Sequence, residues 1–181
     1  LNNLMNSLVS VIMPHYNKKN FFLKSINSVL NQTHSKLEII IIYDDQNRND
    51  LEYIKNCIKN DSRAKIIFND KNKGAAYSRN KAISIAQGEY VAFLDCDDYW
   101  EINKVEAQLN FMLTNGYDFS HTTYRVINYN EKIIGTIKAK EKLKYNELLK
   151  SCDIGLSSVI LKSNLLSDIK FPDLKTKEDF V

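Results

Sequence analysis

The chain has 181 residues, of which 44% are hydrophobic and 26% are charged, and its formal net charge is +3. This is the composition of a globular domain, and it excludes disorder as the main state. The small positive charge argues against a dedicated nucleic-acid-binding protein, which normally carries a strong basic surplus on one face. No apolar run approaches the roughly 18 residues that a membrane crossing needs. The three cysteines show no metal-ligand spacing, which fits a reducing cytosol.

Short apolar runs alternate with amphipathic segments through the first part of the chain. Strands are predicted at 9–13, 37–42, 64–68 and 89–95, and helices at 20–31, 51–58 and 75–87, the last ended by Gly88. This order predicts an α/β fold with a doubly wound, mostly parallel sheet flanked by helices. In such folds ligands bind at the carboxyl ends of the strands, near the point where the strand order reverses.

The pattern is less regular after residue 100. A helix is predicted from Ile102 to Leu113 and is closed by Gly116, and two β-rich stretches follow within 117–137. Another helix is predicted at 143–150, and the last strand at 157–162. We expect this second, smaller part to pack against the first sheet.

Three carboxylates, those of Asp95, Asp97 and Asp98, follow the fourth predicted strand. Acids this close repel one another unless a positive charge lies between them. A few carboxylates together with phosphate oxygens and water are a usual ligand set for Mg²⁺ or Mn²⁺. The cluster therefore predicts a divalent-cation site, and the alternative is a solvated loop that caps the next helix. Trp100 follows the cluster and is expected to pack either in the core or beneath a bound ligand.

Further candidates follow the first two strands and begin the third helix. Tyr16, in the segment Pro14–Asn17, offers a flat face to a nucleobase, or else marks a turn with a half-buried ring. Asp44 and Asp45 would accept hydrogen bonds from a base or a ribose, or would cap a turn. Arg79, near the first turn of the third helix, would reach a phosphate or form an ion pair with the nearby acids.

Five segments, taken together and in order, resemble those of family-2 glycosyltransferases with the GT-A fold. They are Val9–Asn17, Ser28–Thr33, Glu38–Asp45, Asn72–Asn80 and Gly88–Asp98. The likeness is looser from 101 to 177 and returns at the pair Glu178-Asp179. The resemblance implies a nucleotide-diphosphosugar transferase domain. It divides the chain into a nucleotide-sugar-binding subdomain, residues 8–100, and an incomplete acceptor-side subdomain, residues 101–181, which together are expected to form effectively one domain.

The resemblance also implies how the nucleotide is bound. Pro14 and Tyr16 match the positions that line a uracil pocket, with Tyr16 stacking on the base. Asp45 matches the acid that hydrogen-bonds the base, and Arg79 matches the arginine beside the nucleotide. Asp95 is expected to contact the ribose.

The remaining implied roles concern the cation and the reaction. Asp97 is expected to ligate the Mn²⁺ or Mg²⁺ ion that bridges the diphosphate. Asp98, beside it, would orient the acceptor or the waters of the metal. Asp179 matches the catalytic base that takes the proton of the acceptor hydroxyl.

The implied reaction is inverting transfer from a UDP-sugar to a glycan, lipid-linked or protein acceptor. Surface polysaccharide, lipopolysaccharide and glycan synthesis all fit such a reaction, and no nucleic-acid partner is expected. The expected location is cytoplasmic, with contact to the inner leaflet of the membrane as an option for a longer protein. Members of this family generally continue past the Glu-Asp pair. We therefore expect this chain to be part of a longer enzyme, and sugar transfer by the chain alone is not expected as a matter of course.

Three alternatives remain at this point. A non-catalytic sugar-nucleotide-binding domain would keep Tyr16, Asp45 and Asp97 but would carry out no transfer. A phospho-acceptor signalling domain would have its acidic pair after the first strand, where this chain has Pro14 and His15. A sugar-phosphate nucleotidyltransferase would have a glycine-rich basic loop at that same position.

Overall fold

Strands and helices alternate in the chain order that the sequence predicts. The computed structural model describes residues 6–141, 144, 146 and 154–173. The strands are β1 (Val9–His15), β2 (Leu37–Tyr43), β3 (Ala64–Phe68), β4 (Tyr90–Phe93), β5 (Phe119–Ser120), β6 (Tyr124–Ile127), β7 (Ile133–Ile137) and β8 (Ile160–Lys162). The helices are α1 (Lys19–Leu30), α2 (Leu51–Ile58), α3 (Ala75–Ile83) and α4 (Lys104–Asn115). Two 3₁₀ turns, Leu156–Ser158 and Ser163–Leu166, flank β8.

The main sheet has the strand order β3-β2-β1-β4-β8-β5, and β6 and β7 form a separate hairpin. β1 is parallel to β2 and β4, and β2 is parallel to β3, whereas β8 is antiparallel to β4 and β5. The predicted mostly parallel sheet is therefore confirmed. The chain runs outward from β1 to β3 and then returns to the other side of β1 as β4. The topological switch point thus lies between the carboxyl ends of β1 and β4.

Both faces of the sheet are buried, which explains why its strands are near-continuous apolar runs. Successive residues of a strand point to opposite faces. Val11 packs in a cluster with Ile26 of α1 and Leu109 of α4, whereas Ile12 packs in a second cluster with Ala82 of α3. Helices therefore cover the sheet on both sides, as the doubly wound prediction requires.

The third helix is shorter than predicted, because α3 ends at Ile83. The hydroxyl of Ser84 donates to the carbonyl of Lys81 at 2.8 Å, and such side-chain bonds compete with the helical ladder. Gly88 does not end this helix. A Cβ atom at Gly88 would lie 2.6 Å from the backbone nitrogen of Ser10, so this glycine allows the chain to pass close to β1.

The last predicted strand begins later than expected. Residues Leu156–Ser158 form a 3₁₀ turn, in which the hydroxyl and the N–H of Ser158 both donate to the carbonyl of Gly155. Helix α4 ends before Gly116 as predicted, and the φ of Gly116 is 68°, in the left-handed region. The helix predicted at 143–150 falls almost entirely outside the described residues. No part of the described chain forms a helix with the length and apolar content of a membrane span.

Candidate nucleotide and cation site

A cleft of about 410 Å³ opens at the carboxyl ends of β1 and β4. Five of the residues that the sequence predicts for the site line this cleft, namely Pro14, Tyr16, Arg79, Asp95 and Asp97. They come from β1 and the turn after it, from α3 and from the turn after β4. The switch point therefore brings together candidates that are far apart along the chain.

The other predicted residues take different positions. Asp45 lies half-buried just after β2, and Asp98 lies on the turn after β4, but neither is among the residues that line the cleft. Asp179 lies outside the described residues. Lys18 and Asp44 do line the cleft, although the sequence predicts no individual role for Lys18.

The cleft exists because β1 and β4 separate after Ile12. Their ladder ends where Ile12 is paired with Phe93, and the N–H of Leu94 still donates to the carbonyl of Ile12 at 3.0 Å. Backbone groups two residues apart in a strand point to the same side, so the nitrogen of Pro14 faces the gap. Proline has no N–H, and the widening of the sheet at this point therefore leaves no donor without a partner.

Tyr16 stands at the mouth of the cleft with its ring open to solvent. It is 53% exposed, far more than a ring that belongs to the core. The next residue, Asn17, has a φ of 51°, a conformation that asparagine tolerates better than most residues. The turn therefore ends β1 and presents an aromatic face that a planar ligand can stack upon.

Arg79 is buried under the cleft and holds Asp95. Its guanidinium Nη2 donates to Asp95 Oδ1 at 2.8 Å, and only 5% of its side chain is exposed. The guanidinium also lies 5.4 Å from the ring centre of Phe171. The ion-pair interpretation of Arg79 is thus confirmed, and its position is that of a fixed support for Asp95.

Asp44 caps the loop in front of α3. Its buried carboxylate accepts hydrogen bonds from the N–H groups of Lys73 and Gly74, both at 2.8 Å, and from the side-chain amide of Asn69 at 2.7 Å. Gly74 has a φ of 87°, which a residue with a side chain rarely adopts. The turn-capping interpretation is therefore confirmed for Asp44, and its charge fixes the backbone at the edge of the cleft.

Asp45 forms a local turn at the end of β2. One of its carboxylate oxygens, Oδ1, accepts the N–H of Asn47 at 2.8 Å, as in an Asx turn. The role of Asp45 in hydrogen-bonding a base stays a prediction.

Asp97 lies at the rim of the cleft and is paired with Lys18. The ammonium Nζ of Lys18 is 2.6 Å from Asp97 Oδ2, and the two side chains are 42% and 41% exposed. The hydrogen bond to Asp97 is the largest of the effects that raise the pKa of Lys18 above its ordinary value. The rim therefore holds a carboxylate that already has a cation against it.

A serine from the second part of the chain supports the acidic cluster from below. The hydroxyl of Ser157 donates to Asp98 Oδ2 at 2.6 Å and accepts the N–H of Asp95 at 3.2 Å. Removal from water is the main cause that raises the pKa of Asp98, although part of its surface stays open, and the hydrogen bond from Ser157 opposes that rise. The indole N–H of Trp100 donates to the carbonyl of Ser157 at 2.7 Å, and Trp100 is buried in the core.

Cys96 is buried between the acids of this cluster and packs in the core. Burial, with a smaller contribution from Asp95 and Asp97, raises the pKa of its thiol well above the ordinary value. The neutral thiol is therefore favoured over the reactive thiolate.

The cluster fits a divalent cation only as a partial ligand set. Among the residues that the structure describes, no group of three or more acidic, histidine or cysteine side chains converges on one point. Asp97 nevertheless offers an open carboxylate that binds the Lys18 ammonium as a stand-in cation. One or two carboxylates completed by phosphate oxygens and water are sufficient for Mg²⁺ or Mn²⁺.

The sheet and the cleft at its switch point have the fold of the GT-A class, and solved structures agree on this fold. Staphylococcus aureus TarS matches with a TM-score of 0.79 at 24% identity, covering 96% of this chain and 53% of TarS. TarS has also been solved in complex with UDP and with UDP-GlcNAc. The mannosyltransferase PcManGT from Pyrobaculum calidifontis, solved with GDP-Man and Mn²⁺, matches with a TM-score of 0.70 at 17% identity, covering 92% of this chain and 48% of its own.

The chain belongs to glycosyl transferase family 2, whose family model matches residues 10–165. One relative is the Escherichia coli UDP-Glc:alpha-D-GlcNAc-diphosphoundecaprenol beta-1,3-glucosyltransferase WfgD, which is 42% identical over 96% of this chain and 67% of WfgD. Another is the Bacillus subtilis putative teichuronic acid biosynthesis glycosyltransferase TuaG, which is 37% identical over 95% of this chain and 69% of TuaG. The chain thus spans about two thirds of these relatives and about half of TarS. The membership excludes the phospho-acceptor and nucleotidyltransferase alternatives.

Proposed function

We propose that this domain binds a UDP-sugar together with a divalent cation and serves transfer of the sugar to an acceptor hydroxyl. The observation that carries the proposal is one cleft with an exposed aromatic face, Tyr16, and a rim carboxylate already paired with a cation, Asp97. A nucleotide diphosphate needs both, because its base stacks and its phosphates require positive charge. The name of WfgD, which states UDP-Glc as the donor, supports UDP as the nucleotide.

The nucleotide would lie between the turn after β1 and the turn after β4. Pro14 and Tyr16 would line the pocket of the uracil ring, and stacking on an aromatic side chain is worth about 1–3 kcal/mol per base. Asp45 would hydrogen-bond the base, and Asp95 the ribose. Because Arg79 is buried and bonded to Asp95, we propose that it acts on the nucleotide by orienting that carboxylate.

The cation would be held by Asp97, with the phosphate oxygens of the donor and water as further ligands. Mn²⁺ or Mg²⁺, when bound, supplies Lewis-acid stabilisation of the leaving diphosphate. Asp98, fixed by Ser157, would orient the waters of that ion or the acceptor. Without positive charge between them, Asp95 and Asp97 would repel the diphosphate.

Asp179 is proposed as the base that takes the acceptor proton in a single inverting displacement. General-base assistance of this kind contributes about 10²–10⁴ in rate. The described chain approaches the cleft at Phe171, whose N–H and carbonyl form a reciprocal pair of hydrogen bonds with the side chain of Asn80, at 2.9 and 2.8 Å. Asp179 is eight positions beyond Phe171 in the sequence, and a stretch of that length spans at most about 28 Å.

The acceptor is proposed to be a glycan, lipid-linked or protein hydroxyl in surface polysaccharide or related synthesis. The names of WfgD and TuaG, which refer to a diphosphoundecaprenol acceptor and to teichuronic acid, support a lipid-linked or cell-surface glycan. We also propose a cytoplasmic location at the inner leaflet, where a nucleotide sugar and a lipid-linked acceptor would meet.

Titration calorimetry of UDP in Mn²⁺ and in EDTA tests the nucleotide and cation parts of this proposal. The wild type should bind UDP far more tightly in Mn²⁺, and Asp97→Ala should remove that difference. Asp118→Ala is the matched control, because Asp118 forms a similarly exposed ion pair at 2.6 Å with Lys162, away from the cleft. Equal affinity of the wild type in both buffers would refute the role of the metal.

The transfer step needs a chain of the length of its relatives. In such a protein, Asp179→Asn should leave UDP affinity unchanged and abolish sugar transfer to an acceptor. Full transfer activity in this variant would refute Asp179 as the base.

A further inference from the structure

Lys18 is a charged residue of the cleft for which neither the sequence motifs nor the proposed roles account. It lies in the turn between Tyr16 and α1, and its side chain lines the same cleft as Asp95 and Asp97. Its ammonium is 2.6 Å from Asp97 Oδ2. The contact joins residues 79 positions apart in sequence, so it depends on the folded switch point and not on local chain geometry.

Asp95 and Asp97, the two acids that line the cleft from the turn after β4, have cationic partners that differ in burial. Asp95 is paired with Arg79, whose guanidinium is buried and packed against Phe171. Asp97 is paired with Lys18, whose side chain is 42% exposed. A buried guanidinium is held in one place by its packing, whereas an exposed ammonium on a four-carbon stem can move at little cost. Of these two cations, Lys18 is therefore the one that can leave its acid.

A divalent cation on Asp97 would meet the Lys18 ammonium at close range. Like charges a few ångströms apart repel even where water screens them. A nucleotide diphosphate brings two or more negative charges into the same cleft, and an ammonium with three donors is a good partner for phosphate oxygens. Once the donor binds, its phosphate oxygens thus offer the Lys18 ammonium a new partner.

We infer that Lys18 is a built-in counter-ion that holds Asp97 until the metal displaces it, and that the displaced ammonium then binds the diphosphate of the donor. This inference rests on the proposed function, since it assigns Lys18 to the same site. It makes the binding of metal and nucleotide mutually dependent. A metal that binds alone displaces the Lys18 ammonium without giving it a new partner, whereas a metal that binds with a diphosphate provides one.

The test compares Lys18→Met with Lys162→Met. Both variants remove one positive charge and one 2.6 Å ion pair with an aspartate. In the β-ladder, Lys162 lies opposite Tyr90, the first residue of β4. It is therefore at the amino end of that strand, whereas the cleft is at the carboxyl end, and it serves as a matched control. Calorimetry measures Mn²⁺ affinity without nucleotide, and then UDP affinity at saturating Mn²⁺.

Without nucleotide, Lys18→Met should bind Mn²⁺ about two- to fivefold more tightly than the wild type. The reason is that the Lys18 ammonium, an exposed ion-pair partner, no longer competes with the metal for Asp97. At saturating Mn²⁺ it should bind UDP about tenfold more weakly, because a charged hydrogen bond to phosphate is lost. Lys162→Met should match the wild type in both measurements, and Lys18→Arg should restore UDP binding. Opposite changes in the two affinities are not expected from a variant that has merely lost structure.

Each outcome decides one of the two proposals. A wild type that binds UDP equally with Mn²⁺ and with EDTA refutes the metal role in the proposed function. A wild type with normal Mn²⁺-dependent binding, together with a Lys18→Met variant that equals Lys162→Met in Mn²⁺ affinity or in UDP affinity, refutes the inference on Lys18 alone.

Discussion

Replacement of Arg79 by methionine should destabilise the domain well beyond the effect of removing a surface charge. The substitution keeps most of the apolar stem but removes the bond from Nη2 to Asp95 Oδ1 and the contact of the guanidinium with Phe171. A hydrogen bond between charged groups contributes about 1.5–3 kcal/mol, and a partly desolvated cation–π contact about 0.5–1 kcal/mol. Because Asp95 is 37% exposed, water replaces part of what it loses. We therefore expect a loss of about 2–3 kcal/mol in the free energy of unfolding.

Urea unfolding followed by the fluorescence of Trp100, the single tryptophan of the chain, measures this loss. In a domain of this size it corresponds to a fall in Tm of about 5–10 °C. Arg125→Met is the control, because Arg125 pairs with Glu101 on the open surface and its loss should cost less than about 1 kcal/mol. Equal unfolding free energies for the two variants would show that the buried pair does not support the site as argued.

Two further predictions concern neighbouring positions of the cleft. Tyr16→Leu should weaken UDP binding at saturating Mn²⁺ by about tenfold or more through the loss of stacking. Tyr117→Leu is the control, because Tyr117 is similarly exposed but packs against Phe111 of α4, and it should leave UDP affinity unchanged. Equal UDP affinities of the two variants would contradict the stacking role. Burial lowers the pKa of His15 below 6.5, so the unfolded state binds more protons than the folded state, and stability should fall as the pH drops below about 6.5. His15→Phe should flatten this loss between pH 7.5 and 5.5 without abolishing it, since the pKa of His121 is lowered in the same way. Equal losses in variant and wild type, measured by urea unfolding at the two pH values, would contradict this account.

The sheet could be predicted because its short apolar runs are compatible with only one kind of secondary structure. Segments such as Leu37–Tyr43 are too short for a buried helix and too apolar for a strand with one wet face, so parallel strands covered on both sides are expected. The end of α3 could not be predicted, because it depends on the hydroxyl of Ser84. Likewise, the apolar residues that follow Ser158 favour a strand from residue 157. The hydroxyl of Ser158 instead donates to the carbonyl of Gly155, and this bond accompanies a 3₁₀ turn.

The site could be predicted in outline but not in its pairings. The order of the motifs indicates which strand ends meet, and five predicted residues do line one cleft. Whether Asp44 or Asp45 turns inward depends on the backbone at the end of β2, where the N–H of Asp44 donates to the carbonyl of His15. The contact of Lys18 with Asp97 depends on the distance between two turns, which no local pattern encodes.

The cleft combines a fixed floor with an adaptable rim, and this division has a chemical reason. Arg79 and Ser157 hold the backbone and side chain of Asp95 from below, so a ribose contact at Asp95 would need little reorganisation. Tyr16 and Asp97 lie exposed above them, where the ligand itself must complete the packing and the charge balance. Under the proposed function, such a rim would bind neither the metal nor the nucleotide strongly alone, because each would leave a charge or an aromatic face without a partner. The site would therefore favour the complete metal–nucleotide complex over either component, and this is the selectivity that transfer with a charged leaving group requires.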